Sequence, residues 1–341
     1  MWPCSQWIGC GSTPDSVACF KKCRRIQVTT VEKPSDAFRN YCAQEMARLK
    51  DIQLPQDFEL PSLPKAFTEF TEAANDPSCS LKKLAKIIGQ DAGMTVDLLK
   101  CANYNIKSLG RPIRDTTEAL TRVGLLKARD YLMASGIKAA TMVVKSKLLN
   151  FRNFWNESLR RALFAKMIAK QTNLDEDLAF IGGLLQDFVL PILTNQYTDH
   201  YIHYLASVAS KGATLARWET DTFGWNHAEV GAVVAQRWNL PDDLSCSVFL
   251  HHRIEDVLGS DDPHFFSLFP ANISAMLPDQ LQQDPNGIRK LIDMDVKSGA
   301  IQLDQVAATV DQDLQQIAEG NQLPQPLAVA IKRVRAAAEG E

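Results

Sequence analysis

Residues 179–193 read AFIGGLLQDFVLPIL, a nearly unbroken apolar stretch interrupted by Gln186 and Asp187 side by side. A carboxylate set into an apolar helix must find a partner, because burying an isolated charge costs too much free energy to persist. The stretch therefore predicts a core helix carrying a polar site, with partners supplied from elsewhere in the chain. Five of the six histidines, His200, His203, His227, His251 and His252, fall in the block that follows, and His264 lies just beyond it. Any chemistry is expected in that block.

Outward from this stretch the chain continues in helix-length pieces. Upstream, FRNFWNESLRRALFAKMIAKQTN is one long helix; downstream come DHYIHYLASVASKG, ATLARWETDTFG, NHAEVGAVVAQRWNLP and DDLSCSVFLHHRIEDVLG, with Gly or Pro near most breaks. Before them, AFTEFTEAAND, SLKKLAKIIGQD and AGMTVDLLKCANY repeat the pattern, with Leu81, Leu84, Ile87 and Ile88 at helical spacing and Ser80 suited to an N-cap. No run alternates apolar and polar residues long enough to argue for a strand, so the fold class is all-α. The organisation read from these breaks is an N-terminal extension over residues 1–50 with one helix opened by Ser35, a Pro-containing linker, a helical subdomain to about residue 150, a helical core over 151–258, and a C-terminal helical extension over 259–341. In that extension Val306, Val310, Leu314 and Ile317 mark an amphipathic helix, and LAVAIKRVRAAAEGE is expected to be a terminal helix that frays.

Composition sets the outer bounds. At 341 residues with 45% hydrophobic and 23% charged side chains, the chain is globular in type and long enough for two helical subdomains. A net charge of -3 provides no field to gather nucleic acid or an anionic membrane, so neither is an expected partner. The apolar stretches are interrupted by polar groups short of the ~20 residues that span a bilayer, and the start lacks the basic-then-apolar order of a secretory signal. The cytoplasm is the expected location.

The order of segments carries a resemblance. LPSLPKAFTEFTEAANDPSCSLKKLAKIIGQDAGMTVDLLKCANY, then GRPIRDTTEALTRVGLLKARDYL, FWNESLRRALFAKMIAKQ, GLLQDF, NHAEVGA and LHH together resemble the HDOD domain, which is related to the HD-type metal-dependent phosphohydrolases, over about residues 60–258. The resemblance implies a helical N-terminal subdomain on an HD-like helical core. It also implies a polar pocket: Asn156 at the first histidine position, Gln186 and Asp187 at the His-Asp pair, His227, the pair His251 and His252, and Asp256 at the last acidic position. Leu190 stands where active relatives often have a lysine. Active members hold one or two metal ions that activate water against a phosphoester. Side-chain amides are poor substitutes for imidazole as ligands to transition metals. The expectation is a relic of that site without turnover and without a cofactor, in a regulatory protein that binds a signalling partner or small signal. The alternative is a divergent metal-dependent phosphohydrolase acting on a nucleotide or cyclic dinucleotide, with a divalent metal on Asp187, His227, His251 and His252. His200 and His203 are expected at the surface or the edge of the core.

Cys4, Cys10, Cys19 and Cys23 are spaced C-x5-C-x8-C-x3-C beside the basic run KKCRR. Four thiolates can hold zinc, but zinc knuckles favour tighter pairs, so a zinc site and an unstructured tail both stay open. Cys42, Cys79, Cys101 and Cys246 are expected to be small buried hydrophobes.

Overall fold

The computed structural model describes residues 35–49, 58–104 except 75 and 77, 112–318 except 261 and 300, and 323–339; among them there is no strand. Cys4, Cys10, Cys19 and Cys23 lie outside the described residues. Helix α1 (Asp36–Leu49) opens on Ser35, whose Oγ accepts the Phe38 N–H at 3.1 Å. The helical subdomain comprises α2 (Lys65–Ala74), α3 (Leu81–Gly89), α4 (Ala92–Tyr104), α5 (Thr116–Val123) and α6 (Leu125–Met142). Ser80 caps α3 through the Lys83 N–H at 3.2 Å, as its position predicts. Gly124, at φ +87°, turns α5 into α6 with a backbone that a side-chain-bearing residue rarely adopts.

The core follows with α7 (Phe151–Thr172), α8 (Glu176–Leu185), α9 (Leu190–Gln196), α10 (Thr198–His203) running into a π turn over Tyr204–Val208, α11 (Leu215–Phe223), α12 (His227–Arg237), α13 (Asp242–Leu250) and α14 (Ile254–Gly259). Residues 186–189 form a tight turn between α8 and α9, so Gln186 and Asp187 sit at a helix end rather than in mid-helix. Glu176–Gln196 is long and apolar enough to cross a bilayer by length and composition, longer than the sequence reading allowed, and 78% of its apolar window is buried inside the protein.

The last part is α15 (Pro263–Phe266), α16 (Phe269–Ser274), α17 (Gly287–Ser298), α18 (Leu303–Ile317) and α19 (Leu327–Glu339). Among the described residues two large apolar clusters hold the molecule together, and α7 serves both. Phe154 and Trp155 near its start pack with Phe67, Phe70, Leu132, Phe188 and Trp225, while Leu163, Phe164 and Ile168 pack with Phe38, Phe249, Phe269, Val306 and Leu327. The terminal helix is therefore docked rather than frayed. Leu327 and Ile331 are buried, and the Asp311 carboxylate accepts the Leu327 and Ala328 N–H groups at 2.7 and 3.0 Å, satisfying donors that a helix start leaves free. Cys42 and Cys246 are buried as expected, and α1 lies against the core, where the two are joined by a disulfide across 204 residues. Cys79 and Cys101 are free and partly buried.

Candidate functional site

Three helix ends converge on one point. Asp187 comes from the turn after α8, His227 is the first residue of α12, and His251 and His252 form the turn that follows α13. Asn226 and Glu229 fix the start of α12 as a reciprocal capping box, which places the His227 ring. One ligand atom from each of Asp187, His227, His251 and His252 lies within 4.8 Å of all the others. Asp187, His227 and His251 are buried, and of the four only His252 is partly exposed.

The surrounding hydrogen bonds orient the rings. His227 Nδ1 is 2.6 Å from Glu219 Oε2, and the same oxygen accepts the His227 backbone N–H at 2.8 Å. Glu219 is itself held by the Tyr201 hydroxyl at 2.7 Å. His251 Nδ1 is 2.6 Å from the Val248 carbonyl oxygen, which can only accept. Both Nδ1 atoms are thus occupied as donors, and both Nε2 atoms face inward, 3.3 Å apart, with His252 Nε2 2.9 Å from that of His227. Asp187 Oδ1 is 3.3 Å from His227 Nε2 and 3.4 Å from His251 Nε2, yet it makes no well-directed hydrogen bond to either. Inward-facing imidazole nitrogens beside a carboxylate oxygen left without a donor fit a divalent cation, which Asp187, His227, His251 and His252 would hold.

The charges follow from this packing. Burial pushes His227 down, but the Glu219 and Asp187 carboxylates outweigh it and raise the group to about 10. Burial would raise Asp187, and the Arg161 guanidinium with the two imidazoles pulls it well below the usual carboxylate range. Burial lowers His251, and burial with the neighbouring rings lowers His252 well below an ordinary histidine.

The other wall comes from α7 and the C-terminal part. Arg161 Nη1 donates to Asp187 Oδ2 at 2.5 Å, and Arg161 Nη2 donates to Asp279 Oδ2 at 2.7 Å and the Leu277 carbonyl at 3.3 Å. Gln186 is buried beside Asp187, its Nε2 3.4 Å from Asp187 Oδ2 and its Oε1 accepting from the Ser274 hydroxyl at 3.0 Å. Asn156 is buried on α7, five residues before Arg161. Leu190 is fully buried at the start of α9. Asp256 departs from its expected place: on α14 its side chain is half exposed, 3.9 Å from Arg253 and 3.5 Å from the Tyr41 hydroxyl, and it is not part of the cluster. His200 and His203 are exposed on α10 and line a surface groove with Trp218. Aromatic residues nearby pack on one another: Phe223 stacks on Trp225, and Phe188 lies against Trp238.

Sequence reading passed over Arg161, Glu219, Asp279 and Ser274. For two of them a signal existed. Phe154, Ser158, Arg161, Ala165 and Ile168 recur at helical spacing on one buried face, as do Leu215, Trp218 and Glu219, so each charge sits in an apolar stripe and requires a buried partner.

The described residues are all-α, and three helix ends bring one carboxylate and three imidazoles together. The HDOD domain family matches residues 60–254, more than half of the chain, and the chain belongs to that family. An uncharacterized protein of Treponema pallidum (strain Nichols) is 30% identical over 199 residues, which are 58% of this chain but only 38% of that protein's length. Among solved structures, an HDOD domain protein with unknown function from Geobacter sulfurreducens is similar with a TM-score of 0.52 and 20% identity, covering 88% of this chain and 98% of its own. A candidate phosphohydrolase from Shewanella amazonensis SB2B gives a TM-score of 0.54 at 20% identity, covering 81% and 93%. At such identities the likeness shows a shared fold.

Proposed function

We propose that the chain is a regulatory HDOD protein that binds a signalling partner or a small signal and performs no phosphoester turnover. One observation carries this reading: Asp187, the carboxylate on which the pocket is built, is closed off from solvent and already ion-paired to Arg161 at 2.5 Å. Hydrolysis requires a reacting phosphate to reach the activating group, and His252 is the sole member of the four with access to solvent. Amides at Asn156 and Gln186 remove two strong ligands, and the buried Leu190 offers no cation to offset phosphate charge.

A second reading, a divergent metal-dependent phosphohydrolase, is favoured by the inward Nε2 atoms and the unsatisfied Asp187 Oδ1. A bound metal would supply a water of lowered pKa. The two readings separate on turnover of an aryl phosphodiester and of a cyclic dinucleotide in the presence of manganese. The expected result is none above buffer. Turnover that disappears in Asp187→Ala would establish the second reading.

A further inference from the structure

The C-terminal part of the chain, beyond the residues that match the family, reaches the pocket wall through Asp279 and Ser274. Asp279 accepts the Leu281 N–H at 2.6 Å and the Gln283 N–H at 3.4 Å, which fixes the loop after α16, and it presents its carboxylate to Arg161. Ser274, at the end of α16, reaches Gln186. The adjacent Arg160 donates to the Gln325 carbonyl at 2.9 Å and also to that of Pro278. On the other side, Gly183 of α8 leaves so little room that an added Cβ would stand 3.0 Å from the Arg161 carbonyl oxygen, so α7 and α8 are in near-backbone contact at this point. Arg161 is thus pinned between Asp187 and a loop of the C-terminal extension.

We propose that Arg161 is a built-in cation of the histidine cluster that keeps its affinity for divalent metal low, and that Asp279 of the C-terminal extension moderates that charge. This rests on reading the cluster as a pocket able to take such an ion. A guanidinium stays protonated at any ordinary pH and engages carboxylates through a planar fork. With one arm on Asp187 Oδ2 it withdraws that oxygen from coordination and places a permanent positive charge where an incoming dication would have to overcome it. In a site removed from water this repulsion is weakly screened. Asp279 contributes in the opposite sense: its negative charge partly offsets the guanidinium and draws it away from Asp187.

The two charges make opposite predictions for the full chain, stripped of metal by chelation and titrated with Mn2+ by calorimetry, with the metal-induced rise in Tm as a second readout. Arg161→Gln should bind Mn2+ at least tenfold more tightly than wild type, and Asp279→Asn at least threefold more weakly. Arg161→Lys, which keeps the charge, should stay within threefold of wild type. A folded Arg161→Gln protein that binds no more tightly overturns the proposal. If that variant does not fold, Asp279→Asn decides: weaker binding, as expected when the guanidinium loses its counter-charge, supports the proposal, and equal or tighter binding overturns it. Failure here leaves the reading of function standing, because that reading falls only on phosphodiester turnover.

Discussion

The two walls of the buried pocket have gone different ways. On the wall formed by α12 and the turn after α13, His227, His251 and His252 keep metal-ligand geometry, complete with the Glu219 carboxylate and Val248 carbonyl that orient the rings. On the wall formed by α7 and the C-terminal extension, the corresponding space is filled by hydrogen bonds internal to the protein: Arg161 to Asp187 and Asp279, Ser274 to Gln186. The difference teaches that one buried site can set inward-facing ring nitrogens against a wall of ion pairs internal to the protein. A charged network needs balance from some source, and here a guanidinium tied to a distant loop supplies on one wall what a cation would otherwise supply.

The comparison is broken most sharply by truncating one residue from each wall. Arg161→Ala strands two carboxylates in the interior, Asp187 and Asp279, and should cost roughly 3–5 kcal/mol in denaturant unfolding. His252→Ala removes a partly exposed neutral ring and should cost about 1 kcal/mol or less. Comparable losses at the two positions would mean that the arginine is not the element that balances this site.

Glu157 sharpens the same comparison at smaller magnitude. It lies on α7 next to the arginine pair and accepts the Gln280 N–H at 3.2 Å; burial, with Asp279 adding its charge, raises it to about 7. A carboxyl whose folded pKa lies above its unfolded value holds its proton longer in the folded state, so folding stability is lost as pH rises between the two. The loss starts near the unfolded value of 4.5 and is complete above about 7. Glu157→Gln should therefore match wild type near pH 4.5 and exceed it at pH 8 by up to about 3 kcal/mol, less whatever the lost acceptor was contributing. Paired urea titrations at the two pH values measure this. A variant that is weaker than wild type at pH 8 would show that the carboxylate form is the one the structure needs.

Much of this was legible in the sequence for a physical reason. Helices announce themselves by period and Asp187 by the cost of placing a carboxylate among apolar neighbours, whereas His227, His251 and His252 were reached through the resemblance of their motifs to the HDOD domain. Asp256 was misplaced because motif order alone positioned it; on α14 the buried residue is Val257, and its neighbour turns outward to Arg253. Asp279 was illegible, since a carboxylate in a Gln- and Asp-rich tract reads as solvated, and its partner Arg161 is 118 residues away. The docking of α19 was missed for a similar reason: Asp311 caps it from another helix, and no local pattern encodes that contact.

The smallest expected effect concerns the N-terminus, where a pair of truncations separates the docked helix from what precedes it. Helix α1 is tied to the core by several independent contacts. Phe38 packs edge-on against Phe265 at 5.1 Å, Cys42 is bonded to Cys246, Glu45 pairs with Arg253 at 3.2 Å, and the Ser35 hydroxyl donates to Asp262. Arg253 directly follows His252 in the chain, so this docking reaches within one residue of the histidine cluster. Removing residues 1–34 leaves all of these contacts in place, and apart from those contacts the folded part has its own two apolar clusters; the Tm should move by less than roughly 2 °C. Removing residues 1–50 deletes a buried aromatic residue, a cross-link and an ion pair together, and should lower the Tm by roughly 10 °C or more. The contrast is informative in both directions. If the shorter truncation unfolds the protein, or if it releases one zinc per chain by elemental analysis, then Cys4, Cys10, Cys19 and Cys23 build a structural site on which α1 depends. If the longer truncation is as mild as the shorter, α1 is an ornament on a core that the rest of the chain already completes.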